Sequence, residues 1–410
     1  MQLTGIYSQA GGVPPGPPSL VSVEILADGL TLRATFDQTL TSGSPSVGFS
    51  ATGTVLDVAL GYSGNTLDFQ IPSVAPGAPA ITFTITGDAT AGNVNGSVTP
   101  VGPVAVTNSS AFTNTWVAVG NSTSYPGGTS ASARFGAANP NDTDLVISDD
   151  NSDSVLMVRY TSPNWAGVGT PYSIPSLLSN GVVWLSGNEY AVWSGVSGNT
   201  RLIALTHNGS SFSLVGNDYP IAWNAGGWTS LERLADNLFL AVESSVNDVM
   251  QVYSWDGTDF APVGIPYSIG GRNGHVRIGA VKIGLNASVW RIALVDSSSG
   301  NLDLYEFDGT NIIQVPGSTL NVASLLGIAV TYPSVTALAS TDFVVGSEEG
   351  KIQTVRWDDN LASWSNLGAS YTVSNPSAAG SDDLQYMGGN EVAFMRPSTS
   401  NSFLRRLRWQ

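Results

Sequence analysis

Apolar and polar residues alternate with a period of two along SLVSVEILADGLTLRATFDQTL (19–40), VLDVALGYSGNTLDFQI (55–71) and AITFTITG (80–87). Such alternation places every second side chain on one face of an extended segment, and the clusters of Asp, Gly, Ser and Asn between the runs supply turns. Several short strands at this spacing predict a small β-sandwich over residues 19–110.

A longer unit recurs downstream. The segments VRYTSPNWAGVGTPYSI (158–174), ALTHNGSSFSLVGNDYPI (204–221), VYSWDGTDFAPVGIPYSI (252–269), LYEFDGTNIIQVPGSTLNV (304–322) and VRWDDNLASWSNLGASYTV (355–373) align with one another. Most begin with a strand that ends in an aromatic residue (Tyr160, Trp255, Phe307, Trp357). A polar turn follows, then a strand carrying an aromatic residue or Ile (Trp165, Phe212, Phe260, Ile312, Trp364), and then an exit that usually bears Gly. The Asp-Gly of the third copy predicts a type I′ turn. Two more strand-like runs separate successive copies, for example TSLERLA and NLFLAVESS. Four strands in a period of about 48 residues predict one blade of a β-propeller per copy, and the strand alternation excludes a helical solenoid.

The number of blades follows from the two ends of this region. The C-terminal stretch NEVAFMRPSTSNSFLRRLRWQ stops just after a third strand, while TNTWVAVGNSTSYPG (113–127) aligns with SPNWAGVGTPYSI, Trp116 and Gly120 matching Trp165 and Gly169. The expected architecture is therefore all-β: residues 19–110 as an Ig-like β-sandwich, and residues 111–410 as a six-bladed β-propeller closed by a strand from residues 113–124. Trp116, Val117, Val119 and Trp409 should form that closing pair, because an open edge would expose a row of backbone donors and acceptors. Arg405, Arg406 and Arg408 alternate faces on the last strand and are expected to flank the closing blade. Five blades would orphan TNTWVAVG, and seven would need about 48 further residues.

Residues 1–18 end in GGVPPGPP, where proline favours extended polyproline II geometry, so they read as a docking arm or a frayed end. The arm has no basic and apolar leader pattern, and no apolar run in the chain approaches the ~20 residues that span a bilayer. A soluble chain assembled in a cytoplasm, without membrane insertion, is expected.

Composition narrows the functional classes. Only 11% of residues are charged, the formal net charge is −16 and Cys is absent. Two Lys against thirteen Arg provide no basic face for phosphates, so nucleic acid is not an expected partner. Without Cys, disulfides, thiolate metal sites and cysteine nucleophiles are all excluded.

Candidate chemistry is sparse. His207 and His275 are the only histidines; His207, in LTHNGSS, reads as a solvated turn residue rather than a catalyst. Asp149, Asn151 and Asp153 imitate the alternating oxygen ligands of a calcium loop. They lack the following Gly and bidentate Glu, so an acidic hairpin tip explains them; no cofactor is expected, with Ca²⁺ as the alternative. SWDGTDF lacks the spacing of a sialidase aspartate box, and equivalent blade positions show no carboxylate pair of the kind a glycosidase needs. Most aromatics recur at fixed repeat positions and belong to packing; Trp223 and Trp228, in AWNAGGWTS, are the candidates for ligand binding.

The wording VEILADGLTLRATFDQTL resembles the opening strands of bacterial and phage Ig-like modules. Taken together, the arm, this module and a Cys-free propeller rich in Gly, Ser, Thr and Asn resemble a tailed-bacteriophage virion appendage, of head-fibre, decoration or tail-fibre type. The resemblance implies a non-enzymatic structural protein of the virion, assembled in the host cytoplasm. It further implies docking on capsid or tail proteins through residues 1–110, homo-oligomerisation through the same region, and binding of a host surface glycan or receptor through propeller loops. A bacterial adhesion or scaffold protein is the alternative, and a polysaccharide-degrading propeller enzyme a more distant one.

Overall fold

The computed structural model describes residues 16–124, 134–138, 144–149, 153–174, 181–196, 199–221, 228–244, 248–272, 274–284, 288–327, 332–347, 349–373, 383–388, 390–396 and 403–410. Strands dominate them. The helix found among them, Val322–Leu326, is a single short turn capped by the Asn321 side chain, and no described helix is long and apolar enough to cross a membrane.

The first domain is a two-sheet sandwich. Leu20–Ile25 and Thr31–Phe36 form a hairpin whose turn is fixed by Asp28 Oδ1, which accepts the backbone N–H groups of Leu30 and Thr31 at 2.9 and 3.0 Å. Thr66–Gln70 and Val58–Ser63 extend this sheet on one side, and Thr107–Asn108 joins its other edge in parallel. Phe49–Thr52, Thr82–Ile85 and Val101–Ala105 form the facing sheet. Period-two burial along Thr31–Phe36 and Thr66–Gln70 sends Leu32, Phe36, Leu67 and Phe69 inward, where the rings of Phe49, Phe69 and Phe83 lie 5.5–6.0 Å apart.

The rest of the described chain forms six sheets, each built on four antiparallel strands. The innermost strands are Arg134–Ala138, Gly181–Ser186, Trp228–Ala235, Val276–Lys282, Ser334–Ala337 and Asp383–Gly388, of blades 1 to 6. Each lies against the next, and the sixth also meets the first, so the ring is closed and the domain is a six-bladed β-propeller. Its apolar core is divided into wedges between neighbouring blades; Leu145, Leu156 and Trp165 of blade 1, for example, pack with Met387, Met395 and Leu404 of blade 6.

A second contact repeats around the outer rim. Where the fourth strand of a blade bulges, a glycine of positive φ approaches the turn between strands three and four of the next blade. A side chain on Gly264 would sit 2.1 Å from the carbonyl oxygen of Thr310, and the following N–H of Ile265 donates to that oxygen at 3.1 Å. Asn217 and Thr170 repeat this bond to Thr258 and Ser210. The turns that receive them are held by Asx bonds: Asp256 Oδ1 accepts the N–H groups of Thr258 and Asp259 at 2.8 and 2.7 Å. Trp255 pairs with Phe260, so four residues form this loop; among its described neighbours it is Gly257, and not Asp256, that has positive φ, which replaces the expected type I′ turn with a side-chain-capped one.

In blade 6 the fourth strand is Trp116–Ser124, paired antiparallel with Phe403–Trp409 so that Trp116 faces Trp409 and Val117 and Val119 face Arg408 and Arg406. This strand obeys the same rim rule. Gly120 has φ +69° beside the Pro163 carbonyl of blade 1, and Asn121 N–H donates to that carbonyl at 2.7 Å. The connection that would normally join strands three and four is replaced by contact between distant parts of the chain: Gln410 and Thr115 exchange backbone hydrogen bonds of 2.9 and 2.8 Å. Trp409, fully buried, has its ring 5.1 Å from Trp116 and 5.7 Å from Phe112, and Trp116 Nε1 donates to Thr354 Oγ1 at 3.0 Å. Arg406 and Arg408 both pair with Glu391, and the guanidinium of Arg406 lies over Tyr160 of blade 1.

The sandwich docks on the ring face that carries the turns between strands one and two and between strands three and four. Arg356 binds Asp342 through two nitrogens at 2.6 and 2.7 Å and donates to the Ser73 carbonyl at 2.7 Å, while Ser73 N–H and Oγ reach Asp342 at 3.2 and 3.0 Å. Gln70 donates to the Leu338 carbonyl and Tyr386. Asp57, buried in the same seam, accepts the N–H of Ser340 at 3.2 Å through one oxygen. Burial pushes its carboxyl up to about 7, helped by nearby Asp342 and opposed by Ser340 and Arg291.

Two outcomes are expected. Trp409→Ala should lower unfolding stability by about 3–5 kcal/mol in chemical denaturation, since it removes a fully buried indole from the closing pair; a loss under about 1 kcal/mol would contradict that role. Because the folded pKa of Asp57 is raised, its contribution is complete below pH ~4 and disappears as pH rises through about 7. Asp57→Asn should therefore match the parent near pH 4 and exceed it increasingly as pH rises, by about 3–4 kcal/mol at pH 8, measured by the same denaturation series.

Candidate functional site: the loop face and the channel

The ring face opposite the sandwich carries the links between strands two and three and those between blades. A recurring frame builds it. The second strand of each blade runs through four mostly apolar positions into a polar residue at this face: Asp149, Ser194, Glu243, Asp296, Ser347 and Arg396, none more than 3% exposed. Polar groups buried this deeply need partners. Asp296 shows how they are met: it accepts Ser298 Oγ at 2.6 Å and Ser299 N–H at 2.8 Å, and pairs with Arg272 at 2.7 Å. Burial alone would raise its carboxyl, but these hydrogen bonds and Arg272 outweigh it and hold it below the usual range. Arg272 also reaches Asp303, tying the link before blade 4 to its second and third strands.

At the opposite end of the same frame stands a second polar position that, in several blades, forms a cross-strand ion pair: Asp144 with Arg159, Arg291 with Glu306, Asp342 with Arg356, and Glu391 with Arg408. The sequence carries this signal as a charged residue, four apolar ones and a polar one, repeated with the blade period, but opposite pairs such as Arg291–Glu306 invert the charge order and hide it.

Within the channel the structure gathers residues that the sequence leaves apart. Glu232 of blade 3, Arg277 of blade 4 and Asp383 of blade 6 line one cavity with Thr229, Ser230 and Gln385. Arg277 Nε lies 3.4 Å from Asp383 Oδ1, spanning blade 5, and Arg277 Nη1 donates to the Val276 carbonyl at 2.7 Å. The remaining cavity is about 10 Å³, room for roughly one water molecule. Glu232 keeps some surface toward this cavity yet is ringed by protein; burial pushes its carboxyl up to about 8, with Asp383 adding to the rise and the Ala280 N–H and Arg233 opposing it. Two carboxylates thus line one channel cavity from non-equivalent positions of blades 3 and 6, an arrangement that comparison of equivalent blade positions does not reach.

The sites expected from sequence divide. Trp223 lies outside the described residues; Trp228 opens the innermost strand of blade 3, its side chain outside them. Asn151 is likewise outside, Asp149 is a buried strand end, and Asp153 forms the turn at φ +46°, with its carbonyl accepting Ile174 N–H. No group of three His, Cys, Asp or Glu side chains suited to a metal occurs among the described residues. His207 is 4% exposed rather than solvated: its ring packs 4.6 Å from Phe212, Nδ1 accepts the N–H of Gly209, and burial lowers its pKa. It closes a turn.

No protein-family model matches the chain, and no curated protein matches it. Among solved structures, the chain is similar to a SapL1 lectin in complex with α-methyl fucoside at 13% identity and TM-score 0.47, covering 69% of this chain and 94% of that one. The Aleuria aurantia lectin, a six-bladed β-propeller, matches at 13% and 0.46 over 67% and 91% of the two chains. A luciferin-regenerating enzyme matches at 12% and 0.46 over 70% and 95%.

Since the folded pKa of Glu232 is also raised, its contribution is complete below pH ~4 and lost as pH climbs through about 8. Glu232→Gln should leave stability near pH 4 close to the parent value and increase it progressively, by about 3–4 kcal/mol at pH 9; equal changes at both pH values would contradict its enclosure.

Proposed function

We propose that this is a non-enzymatic structural protein of a bacteriophage particle, docked through its N-terminal region and presenting the loop face of the propeller to a host glycan or receptor. In this reading the sandwich is an Ig-like module and Trp116–Ser124 is the clasp that completes the ring. The observation that carries it is the order of parts along one direction. Gly16 and Pro18 lie at the pole of the sandwich beside Gln38 and Thr99, where their carbonyls accept hydrogen bonds of 2.7 and 2.8 Å. Asp57, Gln70 and Ser73, at the opposite pole, hold the propeller. The chain therefore enters at one extreme and the propeller loops stand at the other, separated by a seam of charged and backbone hydrogen bonds that keeps the two domains in register. Loops presented on such a scaffold are suited to recognition.

One observation favours a second, hydrolytic reading: Glu232, held neutral near pH 7, shares a cavity with Asp383, as a general acid shares a site with a carboxylate. A cavity that admits roughly one water opposes it.

The test uses assembled particles of the phage. Deleting residues 1–18 should abolish incorporation, read by immunoblot of purified particles, while the deleted chain keeps its folded circular dichroism and its binding to host cells; retained incorporation would refute the docking role. Release of reducing ends from soluble host polysaccharide by the full chain, lost in Asp383→Asn, would replace the display reading with the hydrolytic one.

A further inference from the structure

A cleft of about 480 Å³ opens between the domains, on the ring face away from the loops. Val55, Pro72, Val74, Ala78, Pro79 and Ile81 make up most of its sandwich wall, with Thr54 and Ser73 beside them; the wall carries no charge and, at the two prolines, no backbone donor. The facing wall is polar and comes from Arg356, Asp358 and Asn360 of blade 5, with Asn114 from the segment leading into the closing strand.

The charges on that wall are not equivalent. Arg356 is bound to Asp342 and Ser73, and the two oxygens of Asp359 accept Arg291 and Trp357 Nε1. Asp358 uses Oδ1 to accept the N–H groups of Asn360 and Leu361 at 2.8 and 3.1 Å, and among the described residues no cation pairs with it. The cleft thus offers one uncompensated carboxylate opposite a mostly apolar surface, on which Val55 is 36% exposed.

This combination selects among ligand classes. A saccharide needs several hydrogen-bonding groups on both sides and an open aromatic face, but the sandwich wall adds only the hydroxyls of Thr54 and of Ser73, the latter already bound to Asp342, and Trp357, 2% exposed, is covered by Trp364 at 5.3 Å. An acyl chain would bury the Asp358 wall against hydrocarbon. The geometry points to an extended peptide segment of a partner protein, which carries a basic side chain to Asp358 and sets proline or small apolar side chains against the Pro72–Ile81 wall. Such a segment would touch the sandwich, blade 5 and Asn114 together, and so would bind only the docked, closed form and stabilise it by mass action. This site is separate from whatever the loop face recognises.

The experiment titrates the full chain with the peptide acetyl-Val-Pro-Arg-Val-Pro-amide by calorimetry, beside the same peptide with citrulline in place of arginine. Saturation below about 1 mM and a raised melting temperature are expected. Citrulline, and separately Asp358→Asn, which retains an oxygen for the two turn N–H groups, should each weaken binding at least tenfold. Ala78→Trp, which fills the cleft from a partly exposed position, should abolish it, with an unchanged circular dichroism spectrum showing that the fold is intact. No saturation by the parent chain, or equal affinity in both variants, overturns the assignment.

Discussion

A β-sheet has no natural end, and the energetic problem of this molecule is the unpaired backbone at the edge of its last blade. Within the propeller each apolar wedge is shared by two neighbouring blades, so a blade left incomplete weakens the wedges on both of its sides. The pairing of Trp116–Ser124 with Phe403–Trp409 answers both demands at once. It completes the ladder of blade 6, brings Trp116 and Trp409 into the wedge against blade 5, and places Gly120 against blade 1 in the same way that Gly264 meets Thr310.

From that constraint the division of labour follows. Since the strand that completes the ring lies directly after the sandwich in sequence, the sandwich must sit beside blades 5 and 6, and the Arg356–Asp342–Ser73 cluster and Asp57 meet it there. One face of the ring is thereby committed to the domain seam. The other is left to links between blades, underpinned by buried polar residues such as Asp296 and Glu243 that fix strand ends without occupying the surface. Polar burial of this kind contributes to which arrangement forms more than to how stable it is, because each such group stabilises only when fully partnered.

Much of the architecture was legible because it is written repeatedly. Aromatic residues that close most third strands and glycines that mark most fourth strands recur at one period, and repetition separates a packing rule from chance. The pair Trp255–Phe260 and the Asp256 cap are such features. The channel was not legible, for the opposite reason: Glu232, Arg277 and Asp383 each occur once, in three different blades, and only closure of the ring brings them together. His207 misled because its turn is polar in sequence, while the neighbouring Phe212 covers its ring in space. The seam was likewise hidden, since Asp57 and Ser340 stand 283 residues apart.

The bond between Gln410 and Thr115 has a mechanical consequence. Tension applied through the N-terminal arm passes along the sandwich and enters the closing strand at its Trp116 end, parallel to the strand axis. Pulled in that direction, the hydrogen bonds to Phe403–Trp409 are loaded side by side in shear instead of being unzipped one after another, while the seam to blade 5 carries part of the same pull. A ring completed by a strand from the far end of the domain is in this way built to resist being drawn open by a pull on the residues that precede that strand.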